Sequence, residues 1–222
     1  KCHLKQLERA NSHMRDLKNE LNKELRMADE RWTPAIENYL AAVDLIEEIT
    51  PEEWKKMSEY VCPAKEVVLI FKALSYLKLY DTEADEENGW VSLVSMMLDD
   101  VPQLKNKLED FANSKLPHIH SSEIQKVEKL LSEHSGEFGH LKEISRPVES
   151  IHKWINAALK LYYVMKDIEP ILKQADIQLK ELRQYNYRFH HNDGDFVRIN
   201  KDVEEIETKL STFVKPSESD QA

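Results

Sequence analysis

Two long stretches of the chain carry apolar residues at the spacing of a coiled coil. In residues 1–50 apolar side chains recur every three or four positions, with interruptions at Asn11 and Lys18, and a matching series runs through residues 148–190. Two helices with such stripes bury them against each other. Only four glycines and eight prolines occur in 222 residues, so the chain has few points at which helices end. We therefore predict an all-α protein built on a long antiparallel coiled-coil hairpin.

Single prolines lie inside both arms, at Pro34 and Pro170. Proline lacks a backbone N–H and kinks a helix unless its neighbours hold it. If the arms end level at residues 50 and 148, the two prolines lie about 9 Å apart along the hairpin, at ~1.5 Å rise per residue. The two prolines therefore predict a local irregularity in the hairpin, and not the point at which either arm ends.

Residues 51–147 read as several short helices that form a small bundle domain at the tip of the hairpin. Thr50 suits a helix N-cap and Pro51 a first helical position, and Ser121, Ser122 and Glu123 give a second N-cap signature. The stretch 63–80 is predicted as the central core helix, with one apolar face made of Val67, Ile70, Phe71, Leu74 and Leu77.

After the second arm, the sequence predicts one more amphipathic helix, at residues 195–214, and a disordered tail at 215–222. The helix either folds back on the hairpin as a third strand of the coil or continues it after a bulge. The first residue is Lys rather than Met, and we expect the sequence to be a segment of a longer chain.

Composition disfavours several classes of partner and cofactor. The formal net charge is −10, which repels nucleic acid and anionic membrane surfaces, and no stretch is apolar enough to span a bilayer. Cys2 and Cys62 lie far apart without a metal-binding spacing, which suits a reducing compartment. The pairs His118/His120 and His190/His191 are too separated to predict a zinc site, and Asp193 and Asp195 form only a fragment of a calcium loop. No phosphate loop or catalytic motif is recognisable, so we expect no cofactor, no metal and no enzymatic activity.

The order of motifs resembles the stalk and microtubule-binding tip of dynein heavy chains. The matching stretches are "TPAIENYLAAVDLIEEITPEEWKKM", "CPAKEVVLIFKALSYL", "WVSLVSMMLDDVPQLKNKLEDF" and "KWINAALKLYYVMKDIEPILKQADIQLKEL". The likeness covers about residues 28 to 182, whereas the chain from Tyr185 onward does not resemble the family's second arm. The resemblance implies a hairpin that emerges from an AAA+ motor ring, in the cytoplasm on the cytoskeleton or in a ciliary axoneme.

The resemblance also implies reversible binding to tubulin through the tip. Carried over to this chain, the candidate contacts are Lys55, Lys56, Lys142, Arg146 and the surface around Trp90, and Pro51 and Pro147 mark the junction of tip and stalk. The chemistry is cation against an acidic tubulin surface, which is screened and reversible. The alternative for the lysines is an ordinary solvated face, and for Trp90 a place in the core.

A different reading treats the tip as an acidic scaffold that binds another protein and not tubulin. Residues 51–147 contain 11 Lys and one Arg against 18 acidic residues, an acidic loop lies at 81–87, and "WVSLVSMML" carries no basic residue. In the stalk, Asn11 and Lys18 either fix a register or, by analogy with the family, loosen the packing so that two registers lie close in energy.

Overall fold

A computed structural model describes residues 2–60, 63–79, 101–190 and 194–213, and within these ranges the regular structure is helical, without a strand. The all-α prediction is confirmed. No helix in these ranges combines the length and apolarity needed to cross a membrane. Trp90, the acidic residues 81–87, Cys62, His191 and the predicted tail at 215–222 lie outside the described residues.

Eight α-helices occur in the described ranges. They are α1 (Cys2–Glu47), α2 (Pro51–Ser58), α3 (Lys65–Tyr76), α4 (Val101–Ser114), α5 (Ser121–Glu133), α6 (Leu141–Ile144), α7 (Arg146–His190) and α8 (Gly194–Ser211). Two short 3₁₀ turns, Leu116–His118 and Phe138–His140, precede α5 and α6. The helices α1 and α7 have 46 and 45 residues and continue through Pro34 and Pro170, which are both exposed, so neither proline ends its helix.

The described residues divide into two compact units. Unit 1 contains the chain up to Pro34 and from Val164 through α8, and unit 2 contains Ala35–Tyr163. Both divisions fall inside long helices, because α1 and α7 each contribute residues to the two units. The tip boundaries expected at residues 50 and 148 stay a prediction.

Three helical segments pack together in unit 1. His13 Nε2 of α1 lies 3.0 Å from Glu181 Oε1 of α7, while the Lys18 ammonium of α1 donates to Asp202 Oδ2 of α8 at 2.5 Å. The Asn186 amide of α7 donates to Asn200 of α8. Of the two arrangements left open for the C-terminal helix, the chain adopts the folded-back one. Unit 1 is therefore a three-helix arrangement, in which α8 is the third strand that the sequence left as one of two possibilities.

The buried stripe of α1 in unit 1 is continuous. Its members are Ala10, Met14, Leu17, Leu21, Leu25, Ala28 and Trp32, at spacings of three or four residues. The predicted interruptions at Asn11 and Lys18 are wrong, because the stripe passes through their neighbours Ala10 and Leu17. A helix with 3.6 residues per turn accepts either a three- or a four-residue step, so the stripe steps around the polar residues.

Unit 2 has an aromatic core. Tyr39 of α1, Phe111 of α4 and Trp154 of α7 are all buried, and the Trp154 ring centroid lies 5.1 Å from that of Phe111 and 6.0 Å from that of Tyr39. The Tyr39 hydroxyl donates to the backbone carbonyl of Leu108 in α4, and burial raises the pKa of this phenol far above its usual value. All five residues of the predicted apolar face are buried, four of them in α3 and Leu77 just beyond its end. The helix, Lys65–Tyr76, is shorter than the predicted stretch 63–80.

We expect Leu17→Ala to lower the free energy of unfolding by about 2–5 kcal/mol, because it removes a buried side chain from the stripe of α1. The exposed neighbour Asn19 supplies the control, since Asn19→Ala should change that free energy by no more than ~0.5 kcal/mol. Chemical denaturation followed by circular dichroism measures both variants. Equal changes in the free energy of unfolding at the two positions would contradict the assignment of Leu17 to the buried stripe.

A second expectation concerns Glu24, a half-buried acid of α1. Burial, and then the neighbouring charge of Glu20, raise the pKa of Glu24. A raised folded-state pKa means that the stability contributed by the protonated acid is fully present below the unfolded pKa and is lost as the pH rises through the folded pKa. The stability advantage of Glu24→Gln over the native chain should therefore grow between about pH 3 and about pH 7. Denaturant titrations across this range test it, and an advantage independent of pH would contradict it.

Candidate functional site

The candidate site is the junction, defined as residues 48–53 together with residues 141–147. Here α1 has ended, α2 begins at Pro51, and Thr50 is the N-cap. The Thr50 hydroxyl accepts from the backbone N–H of Glu53 at 3.3 Å, and the Thr50 backbone N–H donates to Glu53 Oε2 at 2.9 Å. This reciprocal capping box satisfies two donors at the start of the helix. The predicted roles of Thr50 and Pro51 at the start of α2 are confirmed.

Arg146, the first residue of α7, ties the junction together. Its Nη2 lies 3.1 Å from Glu48 Oε2, just beyond the end of α1, and its Nη1 lies 3.5 Å from Glu53 Oε1 in α2. One guanidinium group thus connects three segments of unit 2. The pairs are partly exposed, so their net contribution to stability is small. Their effect is to fix position, because the planar fork of an arginine constrains the direction of both partners.

Glu53 is held as an anion by two neighbours. The hydrogen bond from the Thr50 backbone N–H lowers the pKa of Glu53 most, and the nearby Arg146 charge lowers it further. Hydrogen bonds and opposite charges both favour the ionised carboxylate. The junction therefore keeps a carboxylate between the N-terminus of α2 and the first side chain of α7.

The second connection between these segments lies at the other end of α2. The Tyr60 hydroxyl donates to the backbone carbonyl of Ile144 at 3.2 Å. Between its two ends α2 buries Trp54 and Met57 in unit 2. These contacts fasten α2 at both ends to residues 144–146, so the helix is held as a fixed platform.

The predicted lysines lie on the solvent side of these segments. Lys55 and Lys56 are exposed on α2, and Lys142 is exposed on α6, whose Leu141 is buried. Of the two junction prolines, Pro51 is exposed and Pro147 is buried. The structure thus brings the two predicted segments together. All four candidate cations lie at the surface, and Arg146 pairs there with Glu48 and Glu53.

Sequence reasoning missed three partners at the junction. Glu48, Glu53 and Tyr60 were not predicted as junction residues, although the Thr-x-x-Glu spacing of the capping box was available as a signal for Glu53. Nothing in the sequence marks Glu48 among the many acidic residues or pairs Tyr60 with a backbone carbonyl 84 residues away.

The predicted cap of α5 needs correction. The N-cap is His120, whose Nδ1 accepts from the Ser122 backbone N–H at 3.3 Å and lies 2.8 Å from the Ser122 hydroxyl. An imidazole nitrogen replaces the expected serine oxygen as acceptor, and the helix starts at Ser121. His118 lies exposed in the preceding 3₁₀ turn. Across the described ranges, no three His, Cys, Asp or Glu side chains converge as a metal site would require.

The chain matches no protein-family model, and no curated protein shows significant sequence similarity to it.

We expect Arg146→Gln to raise the pKa of Glu53 part of the way to its usual value, because the Thr50 N–H bond remains. A lowered folded-state pKa contributes stability above the unfolded pKa, and this contribution is lost as the pH falls through the folded pKa. The variant should therefore lose less stability on acidification, and at neutral pH its free energy of unfolding should fall by less than about 1 kcal/mol.

Nuclear magnetic resonance titration of the Glu53 side chain measures this pKa directly. Lys153→Gln is the control, because Lys153 is another exposed cation of α7 that pairs with Glu149 at 2.8 Å and not with Glu53. An unchanged Glu53 pKa in Arg146→Gln would contradict the coupling across the junction.

Proposed function

We propose that this chain is the stalk and tip of a dynein-type motor heavy chain. It binds microtubules reversibly through α2 and the segment 141–146, and it relays conformational change along α1 and α7. The observation that carries the proposal is the platform itself. A helix with an exposed lysine pair is anchored by buried Trp54 and Met57, and it is fastened at both ends to the segment that starts α7.

The arrangement of α1 and α7 supports the relay. In unit 1, His13 and Tyr185 approach with ring centroids 4.7 Å apart, and in unit 2 Glu48 meets Arg146. In unit 1, a residue early in α1 thus meets a residue late in α7. In unit 2, a residue just past the end of α1 meets the first residue of α7. Both pairings are those of antiparallel helices. The division of α1 between the units falls after Pro34, which supports the interpretation of this proline as a weak point in the stalk. The division of α7 falls before Val164 and not at Pro170.

The binding chemistry assigned to the tip is electrostatic. Lys55, Lys56 and Lys142 are exposed and face solvent, where a cation attracts an acidic tubulin surface and releases it when salt screens the charge. Arg146 receives a different role in this proposal, because its guanidinium group already pairs with Glu48 and Glu53. We assign it to the junction, where it couples the position of α2 to the ends of α1 and α7.

Charge favours a second candidate function. Residues 51–147 hold 18 acidic against 12 basic residues, and Arg146 pairs with two glutamates at the junction. A tip with this balance suits a scaffold that binds a basic surface of another protein. Both candidate functions are non-catalytic in this segment, and both locate the chain at the cytoskeleton, in the cytoplasm or in an axoneme.

Cosedimentation of the full chain with polymerised tubulin tests the proposal. We expect binding that weakens as salt increases. Lys55→Glu with Lys56→Glu should weaken it by about tenfold, since two charge reversals at a contact cost on the order of 1.4 kcal/mol or more. The matched control is Lys129→Glu with Lys153→Glu, which makes the same charge change on α5 and α7 of unit 2 and should retain affinity.

The outcomes separate the two candidates. Absence of binding by the native chain at low salt contradicts the microtubule proposal and leaves the acidic scaffold. Equal loss in both double variants contradicts the assignment of α2 as the contact and indicates attraction by overall charge.

A further inference from the structure

Helix α8 is the part of unit 1 that the proposed function does not use. It buries Val203 and Ile206, and beyond its end Phe213 packs against Trp32 of α1 with ring centroids 6.1 Å apart. Polar contacts reach both of its neighbours, because α8 bonds to α1 through Asp202 and to α7 through Asn200 and Glu207. One helix is thus attached to both long helices of the unit.

The contact to α7 pairs a buried amide with a half-buried one. Asn186 is 1% exposed, and its Nδ2 donates to Asn200 Oδ1 at 2.8 Å. A buried amide in a helix bundle favours the one alignment in which it meets a polar partner, because every other alignment places it against apolar side chains. The pair Arg183–Glu207 lies beside it and also joins α7 to α8. Asn186 therefore fixes the axial position of α8 relative to α7.

The contact to α1 is an ion pair. Lys18 Nζ lies 2.5 Å from Asp202 Oδ2, and the two side chains are 39% and 28% exposed. Because both are only partly shielded, salt screens this attachment more than it affects the amide pair. Asp202 therefore fixes the axial position of α8 relative to α1.

We propose that α8 is a register strap, which holds α1 and α7 of unit 1 in a single alignment. If α1 slips along α7 by one helical turn, about 5.4 Å, α8 cannot follow both helices. A strap that moves with α1 separates Asn200 from Asn186, and a strap that stays with α7 separates Asp202 from Lys18. Either way one polar contact is lost, so the observed alignment is favoured over the slipped one.

The consequence for binding rests on the proposed function. In a stalk whose helices slide to change the affinity of the tip, α8 sets the resting register. Sliding then requires release of the strap from one of the two helices, and the partly exposed Lys18–Asp202 pair is the contact that opens first.

Distance measurement between spin labels on α1 and α7 tests the strap without tubulin. Labels at the exposed positions Glu8 and Asp167, in the full chain with Cys2 and Cys62 replaced by serine, report the alignment by pulsed electron paramagnetic resonance. The two positions are offset along the helices, so an axial slip changes their separation by most of its length. We expect one narrow distance distribution in the native background. The double variant Asn186→Leu with Asp202→Asn should add a second population whose distance reflects a slip of about one turn.

Two further variants make the result specific. Gln184→Leu with Glu205→Gln makes the same chemical changes at exposed positions of α7 and α8, and it should keep the single distribution. Asp202→Lys alone places two cations together and should broaden the distribution, whereas Lys18→Asp with Asp202→Lys restores an attractive pair and should restore the narrow one.

A single unchanged distance in both Asn186→Leu with Asp202→Asn and Asp202→Lys would overturn the strap and make α8 a packing element only. Failure of the charge swap to rescue Asp202→Lys would overturn the role of this ion pair. Neither result depends on microtubule binding, so the strap and the proposed function fail separately.

Discussion

The buried stripe of α1 is the constraint on which the rest of the structure depends. Steps of three or four residues carry one apolar face from Ala10 to Trp32 in unit 1, and the buried positions of the helix in unit 2 are Tyr39, Ala42, Val43 and Ile46. In unit 1 this helix meets α7 and α8, and in unit 2 it supplies the tyrosine of the aromatic core. One helix thus supplies buried side chains to the core of each unit.

Charged groups in this protein fix positions more than they add stability. Arg146 joins the ends of α1, α2 and α7, and Lys18 and Arg183 attach α8 to its two neighbours. All of these pairs are partly exposed, where ion pairs contribute little to the free energy of folding. Apolar burial supplies the stability of each unit, and the ion pairs choose among alignments that bury similar apolar area.

Local signals in the sequence predicted what local physics determines. The apolar face of α3 and the Thr50 cap of α2 depend on residues within one or two helical turns, and both are confirmed. The path of α8 depends on Lys18 and Asp202, which are 184 residues apart and resemble any other solvated charges in the sequence. The prediction of which α1 residues form the stripe was wrong for a different reason. Leu17 and Lys18 both fit a helical period, and only packing against the neighbouring helices decides between them. The prediction of the α5 N-cap was wrong because a histidine takes the place of the usual serine.

Hydrogen exchange of the full chain with and without polymerised tubulin tests the central claim most directly, because it reports which segments the microtubule covers. The account predicts slower amide exchange on binding in α2 and in residues 141–146, with no added protection in α5, which carries the control lysine. Unchanged exchange across α2 and 141–146 under conditions where the chain is bound would contradict the assignment of this platform as the microtubule-binding surface.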